Sequence, residues 1–489
     1  MKQGITIVGL GPGDPKQLTL EAQQVLQEAG EVYLRTCHHP TVPSLPAGAS
    51  LHFFDHLYEE KGTFAEVYDE IARQIVELGR RPRGVVYAMP GHPLVGEASV
   101  QRILDLADQQ DIGVRVVEGL SFIESVLTCL GLDALAGLQL VDATELAALH
   151  HPGLNPDLPA LIAQLYDRSL ASDVKLTLMN LYPDEHPVTL VRGVGTDRAQ
   201  VLTAPLYELD RQPVVDHLTS LYVPPLPRPS SLEAFQDTIA RLRAPGGCPW
   251  DREQTHQSLR PHLLEETYET LAALDADDTD ALREELGDLL LQIVLQAQIA
   301  VEAGEFSLAQ VIEGIDAKIK HRHPHVFGDV VVADVAGVMH NWEEIKREEK
   351  GKHSLLGGVP RSLPALARAQ AIQKRVARVG FDWPDAEGVI AKIAEEVAEL
   401  REAQGGKERE EELGDLLFSV VNLARWLSVD AESALRGACQ QFIQRFSGME
   451  ELCRERGLDL SELSLAEQDE LWEEVKGLTS NEKRVNEAL

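Results

Sequence analysis

Two short acidic blocks carry the most chemistry in this 489-residue sequence, Glu265-Glu266-Thr267-Tyr268-Glu269 and Glu285-Leu286-Gly287-Asp288. At about 100° per residue, Glu265, Glu266 and Glu269 fall within roughly a 100° arc of one helix. Glu285 and Asp288 lie three apart on the next. The segment between them, Ala276-Asp277-Asp278-Thr279-Asp280, is short and polar, as suits a hairpin between antiparallel helices. Such a hairpin brings both acidic edges together, leaving Leu264, Thr267, Tyr268 and Leu271 on one helix and Leu286, Leu289, Leu290 and Ile293 on the other to pack. Four or five converging carboxylates repel one another when bare. They are also the hard-oxygen surroundings that Mg²⁺ prefers, with Mn²⁺ as a substitute.

A single Glu-x-x-Glu more often marks a solvated helix face than a ligand set, but here the pattern repeats. Glu395-Glu396-Val397-Ala398-Glu399 echoes the first block, and Glu285–Leu290 returns letter for letter at Glu412–Leu417, with Asp415 in the place of Asp288. Trp342-Glu343-Glu344-Ile345-Lys346 returns as Trp472-Glu473-Glu474-Val475-Lys476. The three blocks keep their order and lie 127 to 130 residues apart. Two tandem copies of one helical domain follow from this.

The elements that must position these residues are legible in the wider pattern. Val223-Pro224-Pro225-Leu226-Pro227-Arg228-Pro229-Ser230-Ser231 holds four prolines, which deny it helix and interior strand. Before it, β-branched runs such as Ile5–Val8, Val85–Ala88 and Val114–Val117 alternate with helical segments such as Thr19–Ala29 and Thr63–Leu78. After it the β signal nearly vanishes, and apolar residues recur at helical spacing over Leu282–Val301 and Val389–Ala403. The expected architecture is multidomain: an α/β domain over residues 1–223, an extended linker over 224–231, and all-α helical bundle domains over 232–350 and 360–480.

Charge narrows the partners. The formal net charge is −34, and residues 1–225 hold 15 basic against 29 acidic residues, a net of −14. Both halves repel a phosphate backbone, so no nucleic-acid partner is expected. An acidic protein still binds a small polyphosphate when divalent ions lie between the negative charges. No run approaches the ~20 apolar residues of a membrane span, and Met1–Val8 reads as the approach to a strand instead of a signal peptide. A cytoplasmic protein with no membrane partner is expected. Cys37, Cys129, Cys248, Cys439 and Cys453 form no Cys-x-x-Cys pair and read as reduced thiols. His321, His323 and His325, at i, i+2 spacing around Pro324, suit a helix end better than a metal site.

Residues 231–476 resemble the tandem MazG family of nucleoside triphosphate pyrophosphohydrolases, whose pattern is Glu-Glu-x-x-Glu followed by Glu-x-x-Asp. Pro245-Gly246-Gly247-Cys248-Pro249-Trp250-Asp251, Gln254-Thr255-His256, Arg322–Phe327 and Arg378–Trp383 agree with it. The resemblance implies that Glu266, Glu269, Glu285 and Asp288 bind metal in the first copy, with Glu265 as a further ligand or the group orienting water. In the second copy Glu396, Glu399, Glu412 and Asp415 hold the metal positions and Glu395 that of Glu265. Lys318 and Arg322 resemble the family's basic pair that meets the triphosphate, and Trp342 with Lys346 its later Trp/Lys block. Arg445, Trp472 and Lys476 are their second-copy counterparts, but Gln441 stands where a lysine would precede Arg445. A complete first site and a weakened second are expected. The implied reaction is Mg²⁺-dependent cleavage of a nucleoside triphosphate to monophosphate and pyrophosphate, by a homodimer, since such bundles complete their cores by pairing.

In the N-terminal half, Gly9-Leu10-Gly11-Pro12-Gly13-Asp14-Pro15 follows the first strand, where glycines permit tight turns and close approach of a ligand. Tyr87-Ala88-Met89-Pro90-Gly91-His92-Pro93 and Glu118-Gly119-Leu120-Ser121-Phe122 each follow a strand in the same way. Together these loops resemble the tetrapyrrole methylase family, a two-lobed α/β fold that binds S-adenosylmethionine between its lobes. The whole chain then has the architecture of YabN-like fusion proteins. The resemblance puts Gly9, Gly11, Gly13, Asp14, Pro90, Gly91, His92 and Ser121 at the cofactor. Many members have Gly-Asp-Pro where this chain has Gly91-His92-Pro93, so the methyl acceptor does not carry over. The rival reading is a methyltransferase with a helical dimerisation or nucleotide-sensing module, and the repeated acidic constellation with its basic partners favours the hydrolase.

Overall fold

The structure is a computed structural model that describes residues 3–335 apart from residue 197, then 337–338, 341–342, 345 and 355–486, with side chains as far as 478. The chain forms two compact units, Met1–Leu242 and Arg243–Leu489.

The first unit contains two sheets. β1 (Ile5–Gly9), β2 (Glu31–Leu34), β3 (Ser50–Phe53), β4 (Val85–Met89) and β5 (Val114–Val117) are all parallel, in the order β3-β2-β4-β1-β5. Every residue of β4 is buried, the continuous apolar run of a strand covered on both faces. Thr19 caps the helix Leu20–Glu28, and Thr63 with Glu66 forms a capping box on Phe64–Gly79, whose Val67, Ile71, Ala72, Ile75 and Val76 are buried. The second sheet is β6 (Gln139–Asp142), β7 (Ala160–Ala163), β8 (Pro187–Arg192), β9 (Gln200–Pro205) and β10 (Thr219–Val223), in the order β6-β7-β10-β8-β9. Only β6 and β7 pair in parallel; the other pairs are antiparallel.

The proline-rich segment 224–231 forms neither helix nor strand, and it is tied down. Leu226 N donates to Pro156 O at 2.8 Å. Asp157 accepts from the Ser230 and Ser231 backbones at 2.7 and 3.1 Å, and Ser231 Oγ accepts from Ala234 N at 3.1 Å. The compact units divide after residue 242, within the helix Leu232–Arg243 that follows the prolines.

The second unit is helical among its described residues. Arg260–Asp275 and Thr279–Ala303 make one antiparallel hairpin, with Asp278 capping its second helix; Ala386–Glu402 and Gly406–Trp426 make another. The helices Leu308–Arg322 and Ala431–Arg456 follow their respective hairpins. Arg436 Nε meets Asp275 Oδ2 at 2.6 Å, joining the second copy to the end of the first hairpin. The apolar faces expected to pack are only partly covered: Leu264, Tyr268, Leu286, Leu290 and Ile293 are exposed. Thr279–Ala303 is also, by length and composition, long and apolar enough to cross a membrane, unlike any run expected from the sequence. It carries Glu285 and Asp288.

Close packing of the loops after β1, β4 and β5 depends on missing side chains. A Cβ on Gly119 would lie 2.6 Å from Gly91 O and 2.9 Å from Gly9 Cα, all backbone atoms that cannot turn aside. Gly119→Ala should therefore destabilise the first unit by about 1–3 kcal/mol, the usual range for overpacking, seen as a lower urea midpoint than the parent chain.

Candidate metal and nucleotide sites

The two hairpins bring carboxylates together in the same way. One oxygen from each of Glu266, Glu269 and Glu285 lies within 4.8 Å of the others, and so does one from each of Glu396, Glu399 and Glu412. Asp288 and Asp415 stand outside these tight triads but act on them electrostatically. Partial burial raises the Glu266 pKa, reinforced by the charges of Asp288, Glu269 and Glu265. Glu285 is raised by burial, Glu269 and Asp288, and Glu412 by burial, Glu399, Glu396 and Asp415.

The copies differ in how they treat the residue beside the triad. Glu265 turns toward His262, whose Nδ1 lies 3.6 Å from its Oε2. In the second copy Lys392 occupies the position of His262. Its Nζ meets Glu395 Oε1 at 2.8 Å and Glu396 Oε1 at 2.9 Å. Hydrogen bonds donated to these two carboxylates hold the ammonium pKa above that of an ordinary lysine. Glu396 can thus be buried, at 4% exposure, with a cation against it. Lys392 was not singled out from the sequence, although its i, i+3 and i, i+4 spacing to two glutamates is a recognisable helical charge pattern.

The expected basic and aromatic residues form matching pairs. Arg322 lies over the Trp342 ring at 5.7 Å and Arg445 over Trp472 at 5.8 Å, so each copy orients a guanidinium with a tryptophan. Lys318 shares the helix Leu308–Arg322 with Arg322. Gln441 holds the corresponding place before Arg445 on Ala431–Arg456. Lys476 Nζ meets Glu473 Oε1 at 2.8 Å. Lys346 and the expected end of the first helical domain near residue 350 lie outside the described residues. His323 closes its helix, with Nδ1 2.8 Å from Ile319 O, in the helix-end role expected of it.

In the first unit the three glycine loops meet at the carboxyl ends of β1, β4 and β5. Gly11 and Gly91 form an isolated antiparallel bridge, both at positive φ, with Gly91 N donating to Gly11 O at 2.8 Å. A Cβ on Gly9 would lie 2.6 Å from Gly91 O, and Gly13 is again at positive φ. Asp14 accepts from Lys16 N at 2.9 Å, and His92 Nδ1 accepts from Leu94 N at 3.1 Å beside Pro90. Ser121 caps the helix Phe122–Leu130 through a box with Glu124.

Comparison with known proteins agrees with both halves. Residues 4–210 match the family model of tetrapyrrole (corrin/porphyrin) methylases. Residues 254–327 and 385–448 each match the MazG nucleotide pyrophosphohydrolase domain. The chain is 43% identical over 488 residues to the uncharacterised protein YabN of Bacillus subtilis, covering 96% of this chain and 98% of that one. It is 50% identical to the nucleoside triphosphate pyrophosphohydrolase/pyrophosphatase MazG of Thermotoga maritima, over 50% of this chain and 95% of the relative. With the nucleoside triphosphate pyrophosphohydrolase of Escherichia coli K12 the identity is 48%, over 50% of this chain and 97% of the relative. The chain belongs to the YabN-like family, in which a tetrapyrrole methylase domain precedes tandem MazG domains.

The raised carboxyls have a measurable consequence. A carboxyl whose folded pKa exceeds its unfolded value binds its proton more tightly when folded. Its charged form therefore destabilises the fold at neutral pH, and the strain is relieved as pH falls through the folded pKa. In metal-free buffer, Glu266→Gln should raise the melting temperature at pH 7. The gain over the parent should shrink as pH falls through the raised pKa of the Glu266 carboxyl, which then takes up its proton.

Proposed function

We propose that this chain hydrolyses nucleoside triphosphates to the monophosphate and pyrophosphate, using a divalent cation, Mg²⁺ or Mn²⁺, at its carboxylate clusters. The observation that carries this is the pair of three-oxygen triads drawn together within 4.8 Å. Oxygens bound to one Mg²⁺ at about 2.1 Å lie no more than about 4.2 Å apart, so small side-chain adjustments suffice. The donor set, all carboxylate, suits a hard cation. When bound, such an ion neutralises charge on the triphosphate and makes water more acidic.

The chain's own residues supply the rest. Glu266, Glu269, Glu285 and Asp288 would hold the ion in the first copy, and Glu396, Glu399, Glu412 and Asp415 in the second. Glu265 lies beside its triad and outside it, placed to orient water and accept its proton. Lys318 and Arg322 offer positive charge to the phosphates, with Trp342 fixing the direction of the guanidinium. Arg445 and Trp472 repeat the arrangement without a lysine at 441. The named pyrophosphohydrolase relatives support the same reading. In the first unit, the meeting of three glycine loops and the tetrapyrrole methylase family match support binding of S-adenosylmethionine.

Pairing of two chains completes the picture. Val311, Ile312, Ile315 and Ile319 form an exposed apolar stripe at helical spacing, and Leu435, Phe442, Ile443 and Phe446 form another. Neither suits a lone soluble chain, and a second copy of the chain is the occupant that covers both copies' stripes symmetrically.

Three experiments test these statements. With Mg²⁺ the first labelled product besides monophosphate should be pyrophosphate, and chelator should abolish it; orthophosphate as primary product would overturn the assignment. A cation beside a desolvated phosphate contributes on the order of 10²–10³ in rate. Glu269→Ala with Asp288→Ala should thus remove most turnover and Glu399→Ala with Asp415→Ala less, while Gln441→Lys should raise activity where the first site is disabled. Light scattering should give a dimer for the parent chain and a monomer for Ile315→Glu; a monomeric parent contradicts the pairing.

A further inference from the structure

At the carboxyl ends of β2 and β3 the first unit gathers three unlike donors that neither the hydrolase reading nor the cofactor reading uses. The two strands run parallel with Leu34 opposite Phe53, and Phe54 N carries the ladder one step further onto Leu34 O at 3.1 Å. Residues just past each end therefore meet: Cys37 and His38 after one strand, Asp55 after the other. One atom from each, a thiol sulfur, an imidazole nitrogen and a carboxylate oxygen, lies within 4.8 Å of the other two. His38 Nε2 stands 3.8 Å from Asp55 Oδ1.

The carboxylate is oriented as a ligand must be. Asp55 Oδ1 accepts from Thr36 Oγ1 at 2.7 Å and Oδ2 from Cys37 N at 2.8 Å. Thr36 Oγ1 in turn accepts from His38 N at 3.2 Å, so one small network holds the loop after β2 against Asp55. Each carboxylate oxygen keeps a second lone pair for a further bond. The Cys37 thiol donates to the same carboxylate, so its proton occupies the ground between sulfur and oxygen that a cation would take. The cluster is open to solution. Cys37 is exposed and the His38 side chain is 83% exposed, so an ion reaches the donors without any movement of the core.

Tetrahedral bonds of about 2.0–2.3 Å put their donor atoms about 3.4–3.8 Å apart, a short side-chain adjustment from the separations here. We propose that Cys37, His38 and Asp55 bind a single divalent ion of the zinc class, with the fourth position facing solvent and taking water. Sulfur and imidazole select zinc over magnesium, which takes oxygen ligands. Binding sends the thiol proton to solvent. The site then passes from one negative charge to none, because the thiolate and the carboxylate together balance Zn²⁺. Residues 1–225 carry a net of −14, a surrounding field that draws a cation in. The triads of the second unit are carboxylate throughout, so the two kinds of site differ in the metal they prefer. The inference stands without the hydrolase reading and without the S-adenosylmethionine reading.

Cobalt titration of the full chain tests it, with the thiols reduced and Mg²⁺ in excess to hold the carboxylate clusters. Co²⁺ stands in for zinc, and a cobalt–thiolate bond gives a near-ultraviolet charge-transfer band that oxygen ligands do not. Co²⁺ should raise this band, and Zn²⁺ should then abolish it by displacement. Cys37→Ser should remove the band. His38→Ala and Asp55→Asn should each weaken Co²⁺ binding by roughly tenfold or more, since even the loss of a group behind a metal ligand costs that much. Should Asp55→Asn fail to fold, the replacements at the exposed Cys37 and His38 still carry the test. The proposal is overturned if no band forms, or if the band survives Cys37→Ser, which would assign it to another cysteine. It is overturned equally if either His38→Ala or a folded Asp55→Asn leaves the affinity unchanged, which would mean a lone thiol holding an adventitious ion only.

Discussion

Carboxylates held a few ångströms apart on paired helices repel one another, and the arrangement of the C-terminal unit answers that repulsion. A hairpin fixes the helices side by side, so the acidic edges cannot drift apart to relieve the strain. Helix caps such as Asp278, which satisfies the first N–H groups of Thr279–Ala303, keep the hairpin from fraying at the end nearest the cluster. What remains is a standing demand for positive charge. The first copy leaves that demand largely open, with His262 beside Glu265. The second meets part of it internally through Lys392. Two copies of one pattern have thus become two electrostatic states of the same fold.

The N-terminal unit solves the opposite problem, making room instead of crowding charge. Its parallel sheet puts the ends of β1, β4 and β5 side by side, and three glycines allow the loops to touch backbone to backbone. Next to them, Arg35 is held by Glu97, whose side chain is buried while that of Arg35 is half-buried. A buried ion pair of this kind adds little stability of its own. It does fix the direction of the guanidinium.

Much of this could be read from the residues in order. Ile5–Val8, Val85–Ala88 and Val114–Val117 are strands, and Thr19 and Thr63 start helices as capping residues should. Period and capping are local signals. The acidic blocks were legible because the same spacing occurs twice, and the family matches place a MazG domain on each copy. Three things were not legible. Arg35 and Glu97 are 62 residues apart in the chain, and nothing local distinguishes a pairing arginine from a solvated one. The turning of Glu265 toward His262 depends on side-chain direction, which spacing alone leaves open. Leu264 and Tyr268 look like core residues by periodicity, but periodicity names a face without saying whether the same chain covers it.

The Lys392 contact has one more consequence. A cluster that carries its own counter-ion has part of its repulsion offset from within the chain, whatever the solution contains. The first repeat has His262 in that place, so its acidic edge keeps more of its repulsion. Arg436 of the second copy ties itself to the end of the first hairpin at Asp275. Through that one bond, the copy whose charge is partly balanced and the copy whose charge is not are held to each other.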